Sequence, residues 1–425
     1  MEQGIEMAGS NFFGHRVLAA TFVLAMFGWG VGFYGPPIFL HTVLQQRGWS
    51  VALGSAAVTL HFLSGTFVIA NLPRLYRYLG IARLTSLGAA GLGIGVYGWA
   101  SAHTPTELLM ASIVTGISWV TLGAAAVNTL ISQWFVRKRS SALAMAYNGA
   151  SIGGVVFTSG WVSLINSIGF APAALLVGLL MSIVIGLFSL FIFRYSPEHM
   201  NQHPDGSDAP MPAVESQERT LGGKELWLDK RFLTLAAGMA LGLFAQIGLI
   251  AHLYSILAPR IGEHQAGLAM GLATGSAIAG RSLVGWLMPH NANRRTVACA
   301  CYAVQVAGSF ALLMAHDMIG LIWLGMILFG AGIGNATSLP PLIAQAEFPR
   351  SDVSRVVALI VAISQGCYAF APVLFGALRS AESPTASDWQ LFALACLVQL
   401  SAIAALAVGK RKPNRLVNRS NSARS

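Results

Sequence analysis

The run APAALLVGLLMSIVIGLFSLFIF, Ala171 to Phe193, contains no charged residue and is long enough to cross a bilayer as one helix. A hydrocarbon core of roughly 30 Å needs about 20 apolar residues at 1.5 Å per residue. Working outward, further runs of this kind occupy 17–43, 51–72, 82–102, 108–134 and 141–168 on the N-terminal side. Beyond a polar stretch come 232–258, 266–288, 296–315, 318–346, 356–378 and 389–408. The chain is 55% apolar and only 10% charged. Soluble domains carry about 25% charged residues, so water is not the main solvent of this one. The predicted fold is an all-α integral membrane protein with twelve transmembrane helices in two six-helix bundles, residues 1–193 and 232–409. A cytoplasmic linker, 194–231, joins them, and a basic tail, 410–425, follows.

Charge placement tests that count, because one missed helix would invert the pattern downstream. Of the 26 Lys and Arg residues, 22 fall on the side that the twelve-span reading assigns to both termini. They include Arg16, Arg74, Arg77, Arg83, Arg137, Lys138, Arg139, Arg194, Arg294 and Arg295. The opposite side holds only Arg47, Arg260 and Arg379, and Arg281 is left inside a span. The positive-inside rule then predicts cytoplasmic termini, with the plasma (inner) membrane as the expected location. The net charge of +10 is thus expected to flank the lipid bilayer and not to bind nucleic acid. The linker carries Pro, Gly, Ser and Asp in the pattern of a flexible segment, with Leu221–Trp227 as a short surface helix. Met1–Gly14 has Glu2 and Glu6 and no basic residue, so no secretory signal is expected.

The 6+6 plan resembles the major facilitator superfamily. Within it, WFVRKRSSALAMAYNGASIGG (Trp134–Gly154) is similar to the helix 4–5 signature of the monocarboxylate transporter and oxalate/formate antiporter group. Gly28-Trp29-Gly30 with Gly32-Phe33-Tyr34-Gly35 resembles that group's first helix, and Gly280-Arg281 with Gly285 resembles its eighth. The resemblance implies secondary transport by alternating access, without enzymatic activity, of a small organic anion such as a monocarboxylate. Departures are also plain. The stretch NLPRLYRYLG, Asn71–Gly80, lacks the superfamily's Asp, Pro289 stands where a second copy often has Asp, and Ala277 replaces the Asp usually paired with the helix 8 Arg. Helix 1 has no Lys, and helix 11 offers Gln365 where oxalate-type carriers add a basic residue.

Arg281 is the sharpest single feature. It sits roughly 6 Å from the centre of its span, where a charged side chain costs about 2.5–3.5 kcal/mol on insertion scales. The apolar runs contain no Asp or Glu to pair with it, so a substrate carboxylate is the expected counter-ion, held by the guanidinium fork. Snorkelling to the surface, or capping of helix carbonyls, is the structural alternative. His61 and His252 are the expected titrating groups near the midplane, so coupling to H+ or to a counter-anion both fit. Hydrogen bonding to backbone is their structural alternative. Thr274, Asn148, Tyr368, Gln365 and Asn335 are further candidate substrate contacts, or else interhelical glue. Pro36, Pro37, Pro340 and Pro341 should loosen helices 1 and 10, and Gly153 should permit a close crossing. The four cysteines lie in apolar runs and read as small buried hydrophobes, with no metal or cofactor expected. No paired carboxylates or nucleophile–base cluster suggests an enzyme. Rival readings are efflux of an apolar or cationic drug, which commonly uses a membrane acid, and a transporter-like sensor that moves nothing.

Overall fold

A computed structural model describes residues 12–207, 223–288, 292–315, 318–379 and 384–409, all helical or in short connections, with no strand among them. The basic tail, the middle of the linker and Pro289 lie outside the described residues. In the N-terminal half, the first span is broken into α1 (Gly14–Gly32) and α2 (Gly35–Arg47), followed by α3 (Val51–Leu79) and α4 (Ile81–Ser101). The fourth is broken into α5 (Pro105–Trp119) and α6 (Ala124–Trp134), then come α7 (Arg139–Ile168) and α8 (Phe170–Phe188). A π-helical turn, Ser189–Phe193, ends α8. After the short α9 (Gly223–Leu228) the C-terminal half has α10 (Lys230–Ile261), α11 (Glu263–Leu287) and α12 (Arg294–Met314). Two broken spans follow, α13 (Ile319–Ile333) with α14 (Leu339–Glu347) and α15 (Arg350–Tyr368) with α16 (Ala371–Ala377), before α17 (Pro384–Val408). Among the described residues nine spans are long and apolar enough to cross a membrane, and Ile319–Ile333 is a shorter apolar helix. The two less apolar ones are α4 and α11, the latter carrying Glu263, His264, Gln265 and Arg281.

The structure refines the sequence reading at several points. The helices that carry the spans expected from 266, 356 and 389 begin earlier, at Glu263, Arg350 and Pro384. The first part of the linker is packed, not loose. Asp205 accepts the backbone N–H groups of Val136, Arg137 and Lys138 at 2.7–3.2 Å, filling donors that a helix N-terminus leaves open. Gln202 accepts the Phe13 N–H at 3.0 Å. The linker therefore docks on the N-terminal half before it crosses to the other.

The breaks have identifiable causes. Pro36 has no N–H, so the Gly32 carbonyl loses the partner it would have had four residues on. His61 replaces it: its Nε2–H donates to Gly32 O at 2.9 Å, and its Nδ1 accepts from the Thr115 hydroxyl at 2.9 Å. Phe33 and Tyr34 both direct their N–H groups to Trp29 O, which frees Gly30 O for the Trp161 indole at 3.3 Å. In the other half the break between α13 and α14 frees Gly334 O for Arg281 Nε at 2.8 Å. Asn335 returns the exchange by donating to Gly280 O at 3.3 Å. Breaks also occur in spans four and eleven, where the sequence reading expected continuous helices.

The face that carries the linker and the opposite, far face differ in how the halves meet. Across the halves α2 packs on α10, α3 on α15 and α16, and α7 on α11. On the far side Asn166 donates to Glu263 at 3.2 Å, His41 lies 4.0 Å from the same carboxylate, and Thr59 accepts the Val373 N–H at 3.2 Å. Arg260 and Arg379 flank the buried Asp388 at 3.1 and 3.4 Å. On the linker side, among the described residues, α6 and α14 pack mainly within their own halves. There the fully buried Arg295 grips Glu347 at 2.7 and 2.8 Å and donates to Thr234 Oγ1 and Arg231 O, tying α10, α12 and α14 together. The side-chain ties between the halves named here thus lie toward the far face.

Two outcomes follow. Replacing His61→Ala strands Gly32 O and should cost about 1–3 kcal/mol, read as a lower unfolding temperature in detergent; an unchanged temperature would mean that water or another donor takes its place. In a cysteine-free background, Asn166→Cys with Glu263→Cys should form a disulfide under mild oxidation and raise the unfolding temperature. Ala144→Cys with Trp286→Cys, at the linker ends of the same two helices, should not.

Candidate functional site

The site forms where α11 meets the break of the tenth span and faces α1, α2 and α7. Gly280 and Gly334 allow the approach: a side chain on either would collide with Ala331 or Ala277 backbone atoms. This contact fixes Arg281, whose Nε is spent on Gly334 O. Its Nη1 is buried and has no hydrogen-bond partner. Among the described residues no carboxylate pairs with it. The phenols of Tyr34, in the first-span break, and Tyr147, on α7, lie within electrostatic range of the guanidinium. Both belong to the opposite half. Tyr147 accepts from Asn128 at 2.8 Å, donates weakly to Ala124 O at 3.4 Å and stacks edge-on against Trp29.

Thr274 joins this group. It is buried, donates to Met270 O at 3.0 Å and packs with Tyr34 against Gly154, where a side chain would collide with both. Asn148 is half-buried next to Tyr147. Asn335 lies directly behind Arg281 and is occupied with Gly280 O. Gln365 and Tyr368 lie apart, on the contact between α15 and α3: Gln365 Nε2 is buried without a partner beside Gly65, and Tyr368 stacks edge-on against Phe62 at 5.7 Å. Gly153 sits against the Met26 backbone, too close for any side chain, and so fixes α7 on α1.

The two histidines are not part of the Arg281 group. His61 has both ring nitrogens committed to Gly32 and Thr115. His252 is buried farther toward the far face, with Nε2 donating to Pro372 O at 2.8 Å and Nδ1 unpartnered. Tyr34 and Tyr147 are the residues that sequence reasoning missed. Tyr34 precedes the Pro36-Pro37 break and Tyr147 adjoins Asn148, which is the signal that was available. His199 and His203 have the four-residue spacing of a metal pair, also overlooked. Among the described residues no group of three or more His, Cys, Asp or Glu converges to hold an ion, and His199 bonds Ser196 at 2.8 Å.

Comparison with known proteins follows the same lines. A sequence profile of the Major Facilitator Superfamily matches residues 17–372. The MFS-type transporter hasB of Aspergillus fumigatus is 24% identical over 301 residues, 68% of this chain, and the chain spans about two thirds (65%) of that relative's length. The solved structure of the nucleoside transporter NupG superposes with a TM-score of 0.70 at 15% identity, over 94% of this chain and all of that one. The D-xylose-proton symporter gives 0.71 at 13%, over 95% of this chain and all of that one. These two structures share the fold. The chain belongs to the Major Facilitator Superfamily and is a multi-pass integral membrane protein.

Proposed function

We propose that the protein is a secondary transporter of a small organic anion, most simply a monocarboxylate, with Arg281 as its charge anchor. The observation that carries this reading is the buried, unpartnered Nη1 of Arg281, within range of two phenols from the opposite half. A buried charge without a partner is costly. A carboxylate meeting Nη1, with a phenol O–H donating to its second oxygen, would remove that cost and contact both halves at once. One guanidinium matches a monoanion better than a dianion. The paucity of membrane acids argues against a cation as cargo, since the buried Asp388 is already occupied by two arginines.

On this reading the linker side, where α6 and α14 pack mainly within their own halves, would serve as one entrance, and the far side as its counterpart in alternating access. The positive-inside rule would put the linker face in the cytoplasm. Coupling to H+ or to a counter-anion both remain compatible with the site, although His61 is fully bonded as a structural tie.

The test is uptake of labelled small monocarboxylates into proteoliposomes by the native protein, Arg281→Gln and Arg281→Lys, each first checked for monodispersity and unfolding temperature. The Gln variant should lose at least about tenfold in apparent affinity, the scale of one charge-assisted hydrogen bond. The Lys variant should retain part of the activity, since it keeps the charge and loses the fork. Uptake undiminished in a folded Gln variant would leave Arg281 a helix-break cap and nothing more.

A further inference from the structure

Away from the seam, on the linker face of the N-terminal half, the structure has a groove of about 620 Å3. That is within the range of about 300–1,000 Å3 usual for small-molecule sites. Its walls are the turn from α3 to α4, the end of α6 and the π-helical turn after α8. Three observations set it apart. Its rim holds Arg83, Arg194 and His199. Arg83 has no carboxylate partner among the described residues, and Arg194 stacks on Tyr195 at 4.8 Å. Its inner wall includes Ser189, only 4% exposed, whose hydroxyl has no hydrogen-bond partner.

Ser189 is unusual within this protein. Thr21, Thr85, Ser112, Thr158, Ser182 and Ser364 all return their hydroxyls to the carbonyl four residues back, at 2.6–2.7 Å. Ser189 opens the π-helical turn, where that back-bond is not made. Such turns are rare and frequently mark functional sites. Its χ1 rotation is all that an incoming acceptor would need to recruit the hydroxyl.

The surroundings identify the acceptor. Leu79, Leu190 and Phe193 line the groove, and Tyr78, Leu190 and Phe191 beside it are exposed as only a bilayer-facing surface would be. Arg83 and Arg194 lie near the linker-side ends of their helices, where basic residues are expected at the membrane boundary, and Ser189 lies about one helical turn below Arg194. Basic side chains at the rim, a hydroxyl donor at the floor and apolar walls toward the bilayer fit a phosphodiester with attached acyl chains. We propose that this groove is a specific site for the headgroup of an anionic phospholipid from the linker-side leaflet. Arg83 and Arg194 would meet the phosphate by charge-assisted hydrogen bonds, and Ser189 would donate from the floor.

The full-length protein released from detergent into native mass spectrometry provides the test, with phosphatidylglycerol titrated against phosphatidylcholine. The native protein should hold one phosphatidylglycerol at least about tenfold more tightly than phosphatidylcholine. Arg83→Gln with Arg194→Gln should remove that preference, and Ser189→Ala, a small change that leaves packing intact, should weaken the first adduct several-fold. Arg137→Gln with Lys138→Gln, equal in charge removed but outside the groove, should leave it unchanged. The proposal is overturned by an adduct that survives both groove variants, or by one that weakens equally in the Arg137/Lys138 control. It is also overturned if millimolar inorganic phosphate displaces phosphatidylglycerol from the native protein, which would identify a soluble anion as the occupant.

Discussion

A helix broken inside a bilayer has no water to complete its hydrogen bonds, so each freed carbonyl must find a donor on a neighbouring helix. Much of this structure depends on that one constraint. Four spans are broken, and two of the breaks are answered by side chains that the sequence reading assigned to ligand or proton handling. His61 and Trp161 close the first-span break through Gly32 and Gly30. Arg281 closes the tenth through Gly334. The breaks in turn place Tyr34 at the centre of the seam and let α11 approach α13 backbone to backbone at Gly280 and Gly334. Repair of the backbone and construction of the site are the same event here.

The same economy makes each half a unit in itself. Within each half the ties are backbone-level or ionic: Arg295 with Glu347, the Asp205 cap, and the close crossing of α1 and α7 at Gly153. Between the halves the described polar ties include Asn166, His41 and Thr59 toward the far face and the Tyr34–Thr274 contact at the seam. Each is a single contact, one of them a 4.0 Å approach, and so individually modest. A seam held by such bonds can part without unfolding either bundle, as a two-state rearrangement needs.

How much of this was legible in the sequence differs by feature. Span number and membrane residence were legible because bilayer thickness imposes a run length that composition reveals directly. Arg281 stood out because a charge in an apolar run is costly wherever its partners are. Its partners were not visible, since Gly334 is 53 residues away and Tyr34 lies in the other half. For the histidines the structure has the alternative that the sequence also allowed, a bond to a backbone carbonyl. An unpaired His in an apolar run suggested titration, while the proline four residues after Gly32 had already announced a carbonyl in need of a donor. Nothing local could have revealed the Ser189 groove, because the unpartnered hydroxyl exists only through a π-helical turn that has no simple sequence signature.

On the proposed reading, placing the anchor and the phenols on opposite halves has a mechanical consequence. Arg281 already spends Nε within its own half, so only Nη1 and Nη2 are available to a solute. A ligand that bound the guanidinium alone would occupy the same half in every conformation and would have no preference among them. Such a ligand cannot shift an equilibrium, however tightly it binds. A carboxylate that also takes a hydrogen bond from Tyr34 or Tyr147 gains that second bond only when the halves are near enough, so its affinity differs between states. The differential is that of one hydrogen bond to a charged group, about 1.5–3 kcal/mol. A shift of that size changes a population ratio by roughly ten- to a hundredfold, comparable to what a few weak bonds on the far face can oppose. Site and seam are therefore matched in strength, which is what reversible exchange between two open faces requires.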